Sequence, residues 1–384
     1  MKIVAAIYTH PEYYPPTLNA LEELSKSCDK IYVLARNLKI NSWIYPRNVE
    51  LKLSGKYRPM SYIKIASWMW KGLSFVQFTL NFFFLLRKHK PKWVICYDAI
   101  PLLSFRIVSK FLFSQRPQLW YHNHDVIDGS VKFSVSWWAM KSEQQYFRNI
   151  DIFSLPANER TQYFPVQKLK GKYFFIPNFP SKAFYEKFRE NNKKESKVTL
   201  IYQGNLSSHH GIEETIKFLS VTNLDIKLKL IGSIKDDYKA QIQELINTLN
   251  IQDKVEILPP VNYSELPAIT AKCHIGLAIH RATPVNLNYI TGGTASNKIY
   301  EYAALGLPVF YYDEEHYNFH LSKYKWAVSC NLSNDNFDTK IRYIMNNYDE
   351  ISTLAVNDFK SELNFEKAIM PVLSYIQNNY GKSN

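Results

Sequence analysis

Apolar and polar residues alternate along this chain in a regular way. Short runs rich in Ile, Val, Leu and aromatic residues are separated by longer segments with the apolar spacing of amphipathic helices. Strands that alternate with helices are typical of βαβ units around a parallel sheet. In the first half we predict strands at Ile3–Tyr8, Lys30–Ala35, Val49–Leu53, Trp93–Tyr97, Gln118–His122, Ile152–Leu155 and Tyr173–Ile176, and in the second half at Val198–Gln203, Ile226–Ile231, Val255–Leu258, His274–Ala278, Pro308–Tyr311 and Trp326–Ser329.

A polar and strongly charged stretch at residues 178–197 interrupts this alternation. A chain of 384 residues is also longer than one hydrophobic core usually serves. We therefore expect an α/β protein of two Rossmann-like domains with parallel sheets, each binding ligands at the carboxyl ends of its strands. The expected division is a first domain at 1–180, a linker at 181–197, a second domain at 198–362, and a helix at 363–384 that packs back toward the first domain.

Composition narrows the class of partner. An apolar fraction of 46% and a charged fraction of 21% are those of a folded globular protein. The net charge of +13 favours an anionic partner, which a membrane surface or a phosphorylated small molecule would provide. The sequence contains no zinc-finger spacing, no RNP-like strand and no dense Lys/Arg block, so we do not expect nucleic acid as the partner.

The cysteines and the N-terminal residues bear on the compartment. Cys28, Cys96, Cys273 and Cys330 lie far apart and form no CxxC pair, which predicts neither a disulfide framework nor a zinc site. The N-terminal run MKIVAAIYTH has too short an apolar stretch for a signal peptide and is interpreted as a buried strand. These features predict a cytoplasmic protein.

The segment Met60–Lys90 is unusually aromatic and also contains several lysines and arginines. Its longest uncharged stretch, Gly72–Leu86, has 15 residues, fewer than the roughly 20 that a membrane-spanning helix needs. Two interpretations stay open. The segment is either a long helix packed on the first sheet, or a helix that also contacts a membrane surface through its Trp and Lys residues.

A Gly-rich loop leads into a helix at Thr291–Val309, TGGTASNKIYEYAALGLPV. Loop glycines let backbone N–H groups approach an anion, and a helix N-terminus adds the positive end of its dipole. Lys298 can place a full charge against a phosphate. Glu301, three residues further on, can accept hydrogen bonds from ribose hydroxyls. Because a nucleotide offers phosphates and a diol together, the sequence predicts a nucleotide site here.

The run SNKIYEYAALGLPV resembles the donor-site signature of GT-B glycosyltransferases of family 4, the group 1 type. The resemblance implies two Rossmann-like domains facing a cleft, with the donor ribose held by Glu301. It also implies retention of anomeric configuration, and no metal or cofactor beyond the nucleotide diphosphate sugar, which we expect to be a UDP- or GDP-sugar. The residues expected to meet the diphosphate and the sugar are Gly292, Gly293, Thr294, Ser296, Asn297 and Lys298.

A second match, LIYQGNLSSHHGIEE at Leu200–Glu214, resembles the start of the C-terminal domain of the family. Its first glycine is Gly204. Family members commonly carry Arg after the first glycine and Lys before the second, where this chain has Asn205 and His210. Lys298 or Arg281 is then expected to supply the missing charge.

A further departure concerns the paired glutamates of the family, which stand eight residues apart. Gly293 occupies the position eight residues before Glu301. The backbone amides of residues 292–294 are expected to make the sugar contact instead.

Further matches place the base and the acceptor. Gly232 and Ser233 resemble the loop near the nucleotide base, and Val261 lies in a segment that resembles the edge of the base site. In the first domain, His124 falls where the family often has a His facing the donor sugar. His10, after the first strand, is a second candidate catalytic residue.

These features predict a hexosyltransferase that acts in surface polysaccharide or lipid-linked glycan assembly. We expect the protein to be cytoplasmic and to bind peripherally to the inner face of the cytoplasmic membrane. Two alternatives stay open: a nucleotide-sugar epimerase of the same architecture, and a non-catalytic binding subunit, which the departures at Asn205, His210 and Gly293 keep in consideration. A Rossmann oxidoreductase is disfavoured, because Tyr8–Thr17 after the first strand contains no GxGxxG.

Overall fold

The computed structural model describes residues 1–58, 68–112, 116–189, 193–281 and 295–380. The chain forms two compact units. The first comprises Met1–Pro177 and the C-terminal segment that starts at Ala368, and the second comprises Asn178–Lys367.

Parallel strands form the centre of the first unit. Its strands are β1 (Lys2–Ile7), β2 (Lys30–Arg36), β3 (Val49–Ser54), β4 (Trp93–Tyr97), β5 (Gln118–His122), β6 (Ile152–Leu155) and β7 (Lys172–Phe175). Within the described residues they pair in the order β3-β2-β1-β4-β5-β6-β7, with every pair parallel. The helices are α1 (Pro15–Ser25), α2 (Trp68–His89), α3 (Ala99–Val108) and α4 (Val135–Tyr146).

Helix α2 contains most of the aromatic segment, and its two faces differ in burial. One of its faces is buried, since Phe78, Phe82 and Leu86 belong to the same hydrophobic cluster as Val4 of β1 and Val94 of β4. The opposite face is apolar as well, and the following side chains are between 49% and 63% exposed: Trp70, Leu73, Val76, Leu80 and Phe84. In the part of the chain that the structure describes, no helix is both long and apolar enough to cross a bilayer.

The second unit repeats the same architecture. Its strands are β8 (Val198–Gln203), β9 (Ile226–Ile231), β10 (Val255–Leu258), β11 (Ile275–Ala278), β12 (Val309–Tyr312) and β13 (Ala327–Cys330). Among its described residues the parallel order is β10-β9-β8-β11-β12-β13. Its helices are α5 (Lys182–Arg189), α6 (Ile212–Val221), α7 (Asp236–Thr248), α8 (Leu266–Thr270), α9 (Asn297–Ala304), α10 (Glu315–Leu321), α11 (Asn334–Asn346) and α12 (Tyr348–Ser361). The last helix, α13 (Phe365–Tyr380), starts in this unit, and its residues from Ala368 belong to the first.

All thirteen predicted strands are present, with bounds that differ by no more than one residue from those predicted. The linker predicted at 181–197 is wrong in one respect, because helix α5 lies within it and belongs to the second unit. The helix forms because Phe184, Tyr185 and Phe188 share one face, which packs against the core of that unit. Its start is anchored by Glu366, whose carboxylate accepts hydrogen bonds of 2.8 Å from the Ser181 hydroxyl and the Lys182 backbone N–H.

Candidate functional site

Two glycines bring the loops after β8 and β9 into contact. Gly232 has φ +142°, and a Cβ at this position would lie 1.8 Å from the carbonyl oxygen of Gly204. No other residue fits this approach. The Gly204 N–H donates to the carbonyl of Ile231 at 2.9 Å, which closes the contact from the other side. The carboxyl ends of neighbouring strands therefore present an exposed backbone surface at the place where parallel α/β sheets bind ligands.

A hydrogen-bond network joins this loop contact to helix α9. The Lys298 ammonium donates to the Tyr202 hydroxyl at 2.7 Å, and that hydroxyl donates to the carbonyl of Asn205 at 3.0 Å. The Ser233 hydroxyl donates to Oδ1 of Asn205 at 3.3 Å. A Cβ on Gly204 would lie 3.6 Å from the Lys298 nitrogen. The structure thus brings together Gly204, Asn205, Gly232, Ser233 and Lys298, which the sequence analysis selected from three separate segments.

Several polar groups at the start of α9 have no hydrogen-bond partner among the described residues. Ser296 is the N-cap residue, and its hydroxyl makes no capping hydrogen bond. The buried Oγ of Ser296 and Oδ1 of Asn297 accept no hydrogen bond from the described residues. Orphan N–H groups and the dipole make a helix start attractive to anions. Gly292, Gly293 and Thr294, which precede this helix, lie outside the described residues.

The charge on Lys298 depends on its surroundings. Burial lowers the pKa of Lys298 to about 7, although the nearby Glu301 carboxylate acts in the opposite direction. A desolvated ammonium gains from any anion placed beside it, because the anion replaces the lost hydration. The lysine is therefore poised to take a proton together with an anionic ligand near neutral pH.

Glu301 is 5% exposed and sits among hydrogen-bond donors. Its Oε2 accepts from Nε2 of Gln203 at 2.6 Å, and the hydroxyls of Tyr185 and Tyr263 also bond to the carboxylate. Burial raises the pKa of Glu301 to about 7, against the lowering effect of these donors and of Lys298. A carboxylate can accept about four hydrogen bonds. The described residues use three of them, so about one remains for a ligand hydroxyl.

Gln203 is itself fixed in place. Its Oε1 accepts from the Thr270 hydroxyl at 2.8 Å, and its backbone N–H donates to the Tyr302 hydroxyl at 3.0 Å. Four further residues of the site, Tyr185, Tyr202, Gln203 and Tyr263, are not predicted from the sequence. Tyr202 and Gln203 have a usable signal, since they end the strand before Gly204. Tyr185 has none, because it lies in a polar and charged segment that predicts a linker.

His210 adds no charge to this network, and Arg281, one of the two cations expected to supply the missing charge, pairs with a carboxylate. Burial, and secondarily Lys298, lower the pKa of His210 to about 2, so its imidazole is neutral. The ring stacks on Tyr202 with centroids 5.1 Å apart. Arg281 forms an ion pair with Glu214, which offsets its charge. Of the two cations proposed to replace the missing ones, Lys298 is the one that joins the network. Val261 is partly buried and packs against the core of the unit.

His124 lies at the carboxyl end of β5 in the first unit. Its ring is stacked between Tyr14 and Tyr97, with centroids 4.9 and 5.3 Å away, and its Nε2 is 2.8 Å from the Thr17 hydroxyl. The Asp98 carboxylate accepts from the His124 backbone N–H at 2.7 Å. Burial holds the pKa of His124 well below its usual value. His124 is therefore a fixed neutral imidazole, and its buried Nδ1 has no hydrogen-bond partner in the described part of the chain.

His10 is fully buried at the turn that leads into α1. Its Nδ1 accepts from the Glu12 backbone N–H at 3.4 Å. Glu12 in turn accepts from Lys39 at 3.0 Å and from the Ser42 backbone N–H at 2.8 Å. Burial lowers the pKa of His10 below its usual value. These contacts give His10 a structural part in the loop, and its catalytic role stays a prediction.

The sequence of residues 184–357 matches the family described as Glycosyl transferases group 1. This chain carries a group 1 glycosyl transferase domain. The matched region contains Gly204, Gly232, Lys298 and Glu301, the residues around which the site is built. A search of curated proteins by sequence finds no match.

Solved structures show that the whole chain has the GT-B fold of glycosyltransferases. A sucrose-phosphate synthase from Thermosynechococcus elongatus has a TM-score of 0.70 at 12% identity, with 100% of both chains covered. HepE from Anabaena in complex with UDP-glucose has a TM-score of 0.65 at 14% identity, covering 98% of this chain and 100% of that one. WaaG, a glycosyltransferase involved in lipopolysaccharide biosynthesis, has a TM-score of 0.63 at 12% identity, covering 97% of this chain and 98% of that one.

Proposed function

We propose that the second unit of this glycosyltransferase binds a nucleotide diphosphate sugar and that the sugar passes to a hydroxyl of an acceptor held by the first unit. The observation that carries the proposal is the position of Lys298. Its ammonium is fixed at 2.7 Å from Tyr202, next to the contact of Gly204 and Gly232. A diphosphate needs a cation, backbone N–H groups and room for close approach, and this corner of the domain offers all three.

The nucleoside would lie beside Glu301 of the same helix. Glu301 has about one acceptor position left for a ribose hydroxyl. Gly232, Ser233 and Val261 would border the base. The complex of HepE, a structural neighbour, with UDP-glucose supports a UDP-sugar as donor.

The proposed reaction is transfer of a hexose with retention of configuration. The acceptor oxygen forms a bond to the anomeric carbon while the bond from that carbon to the diphosphate oxygen breaks. The diphosphate leaves with the electron pair, and the acceptor proton passes to one of its oxygens. Lys298 and the start of α9 would stabilise the charge that develops on the diphosphate, which is the role a metal plays elsewhere. His124, neutral and fixed, would hydrogen-bond a sugar hydroxyl.

We further propose a glycan or lipid-linked acceptor at the inner face of the cytoplasmic membrane, in polysaccharide assembly. The support is the exposed apolar face of α2 (Trp70, Leu73, Val76, Leu80 and Phe84). Cations flank it at both ends, with Lys71 near the start and Arg87 and Lys88 in the last turn. An exposed apolar stripe bordered by cations suits an anionic bilayer surface better than bulk water. WaaG, of the same fold, is involved in lipopolysaccharide biosynthesis.

A thermal-shift panel of UDP-, GDP-, ADP- and CMP-sugars tests the donor part of the proposal. Only the nucleotide that binds should raise Tm. Lys298→Ala should reduce the shift, and Lys217→Ala, at an exposed position of α6, should retain it. Product analysis then separates transfer from epimerisation, because an epimerase converts the donor without an acceptor. If no nucleotide sugar raises Tm, the proposal fails.

A further inference from the structure

The first unit contains a cavity of about 310 Å³ that the donor site does not use. It lies at the carboxyl ends of β2 and β3, beside the beginning of α2. Its lining includes Arg36 from the end of β2, Lys56 and Arg58 from the loop after β3, and Trp70 from α2. Cavities of this size are at the lower end of those that hold small ligands, about 300–1,000 Å³.

The charges around this cavity have one sign. Three cations line it, and none of the described lining residues is acidic. Arg36, Lys56 and Arg58 form no ion pair with any carboxylate in the described ranges of the chain. Three like charges around one space repel one another unless an anion lies between them.

The two arginines contact aromatic rings and not carboxylates. The Arg36 guanidinium lies 4.8 Å from the centre of the Tyr8 ring, and that of Arg58 lies 4.7 Å from the centre of the Trp70 ring. A guanidinium that lies over a ring keeps its N–H donors in its own plane. These donors remain able to form hydrogen bonds to a planar or tetrahedral oxyanion. An ion pair would have occupied those same donors.

The floor of the cavity is preformed by hydrogen bonds between two loops. The Asn37 backbone N–H donates to the Ser54 carbonyl at 3.1 Å, and the Arg58 backbone N–H donates to the Asn37 carbonyl at 3.0 Å. Gly55, with φ +84°, makes the turn between Ser54 and Lys56. Because the loops are already joined, a ligand would not need to order them.

We propose that this cavity binds a phosphate or diphosphate group of the acceptor. The inference rests on the proposed function, since it assigns the anion to the molecule that receives the sugar. The shared chemistry is a phosphate ester, carried either by a soluble phosphorylated glycan or by a lipid headgroup. The two arginines and Lys56 donate hydrogen bonds to the phosphate oxygens, and the exposed Trp70 offers a ring face for an attached sugar or chain.

Titration of the full chain with inorganic pyrophosphate tests the cavity. Lys56→Gln combined with Arg58→Gln should weaken one pyrophosphate site at least about tenfold, because two charge-assisted contacts are lost. The matched control is Lys30→Gln combined with Lys52→Gln, which removes the same charge from cations that pair with Glu50 at the sheet edge. Both substituted residues of the test variant are exposed, and thermal melts verify that each variant is folded.

Pyrophosphate can also occupy the donor site, so the same titration is made with Lys298→Ala. Two sites, one sensitive to each variant, support the proposal. A single site that only Lys298→Ala weakens overturns it, and so does equal affinity in the test and control variants. Donor-dependent thermal shifts remain in either case, so failure of the cavity is distinguishable from failure of the proposed function.

Vesicles then identify the source of the phosphate. The site binds a lipid phosphate if the test variant co-sediments more weakly than the control with phosphatidic acid vesicles, and the two co-sediment equally with phosphatidylcholine vesicles. Equal co-sedimentation with both vesicles, together with the loss of pyrophosphate affinity, assigns it to a soluble phosphate ester.

Discussion

The Lys298 ammonium lies 4.0 Å from the centre of the Tyr202 ring and donates a 2.7 Å hydrogen bond to the Tyr202 hydroxyl. The same tyrosine contacts the two residues that replace the usual cations of the family. His210 stacks on its ring, and the Asn205 carbonyl accepts from its hydroxyl. Asn205 and His210 therefore help to fix the position of Tyr202, which in turn fixes Lys298. Lys298 is the cation that this arrangement holds in place.

Donor affinity should depend on pH through Lys298. Its pKa is about 7 in the protein, so the ammonium is charged below that pH and neutral above it. Affinity for a nucleotide sugar should fall by up to about tenfold per pH unit above neutrality, because binding then requires uptake of one proton. Calorimetric titration across about pH 6 to 9 measures the slope.

Lys298→Arg provides the control for this slope, because an arginine stays charged throughout the range. Glu301→Gln serves as a second control, because the pKa of Glu301 is also about 7. Ionisation of Glu301 strengthens its hydrogen bond to a ribose hydroxyl, so its effect on donor affinity with rising pH is opposite to that of Lys298. A pH dependence that survives in Lys298→Arg would mean that another group takes up the proton.

Glu301 should contribute both to donor binding and to stability. Glu301→Ala removes the acceptor of Gln203, Tyr185 and Tyr263, and each buried donor left unpaired costs about 1–3 kcal/mol. Glu301→Gln keeps an acceptor in place and should cost less stability, while donor binding weakens by about 1.5–3 kcal/mol in both variants if the ribose is held by the charge. Denaturation and calorimetry measure the two effects separately. Unchanged donor affinity in Glu301→Gln would rule out the ribose contact.

Most strands were predictable because they are short apolar runs whose burial leaves little choice of structure, whereas β3 and β9 alternate apolar and charged residues. β4, Trp93–Tyr97, is buried along its whole length, and its sequence WVICY contains no polar residue apart from its terminal Tyr. The two close-approach glycines were also predictable, since Gly204 and Gly232 each follow directly on a predicted strand. These patterns involve residues that are neighbours in the sequence, and a single sequence shows only patterns of this kind.

The rest of the site depends on tertiary contacts. Tyr185 lies in a polar, charged segment, and its bond to Glu301 arises only when α5 packs beside α9. The neutral state of His210 follows from burial, which its polar neighbours in the sequence conceal. The pairing of Arg281 with Glu214 joins residues that are far apart in the chain. None of these relationships has a signature in spacing or composition.

Helix α2 should bind anionic membranes in a salt-sensitive way. Each Lys or Arg near the headgroups contributes about 1 kcal/mol, and salt screens this attraction. Replacement of Lys64, Lys71, Arg87 and Lys88 by Gln should abolish binding to anionic vesicles and leave donor affinity unchanged. Lys64 lies outside the described residues. Leu80→Ser with Phe84→Ser, both on the exposed face, should weaken the binding as well.

The matched control replaces four exposed lysines of the second unit by Gln: Lys217, Lys239, Lys272 and Lys360. It removes the same charge and should still bind. Sedimentation with phosphatidylglycerol and phosphatidylcholine vesicles at low and high salt makes the comparison. Absence of co-sedimentation at low salt would end the membrane proposal.

Stability of the first unit should fall with rising pH because of Glu143. Burial, with a smaller contribution from Asp98, raises the pKa of Glu143 from 4.5 to about 8. The folded state then binds a proton that the unfolded state releases between these values. The free energy of unfolding should decrease by up to about 1.4 kcal/mol per pH unit over this window. Glu143→Gln keeps an acceptor for the Tyr121 hydroxyl and should flatten the dependence in chemical denaturation. An unchanged slope would show that Glu143 is ionised in the folded protein.

The contact on which the proposed function depends is that of Lys298 with the diphosphate of the donor, and calorimetric titration of Lys298→Ala measures its strength. Wild type and variant are titrated with the nucleotide diphosphate that raises Tm and with the corresponding nucleoside. We expect a loss of about 1.5–3 kcal/mol, roughly ten- to hundredfold, for the diphosphate, because a charge-assisted contact is removed, and little change for the nucleoside. Equal losses for both ligands would make Lys298 a structural residue and overturn the proposed diphosphate contact.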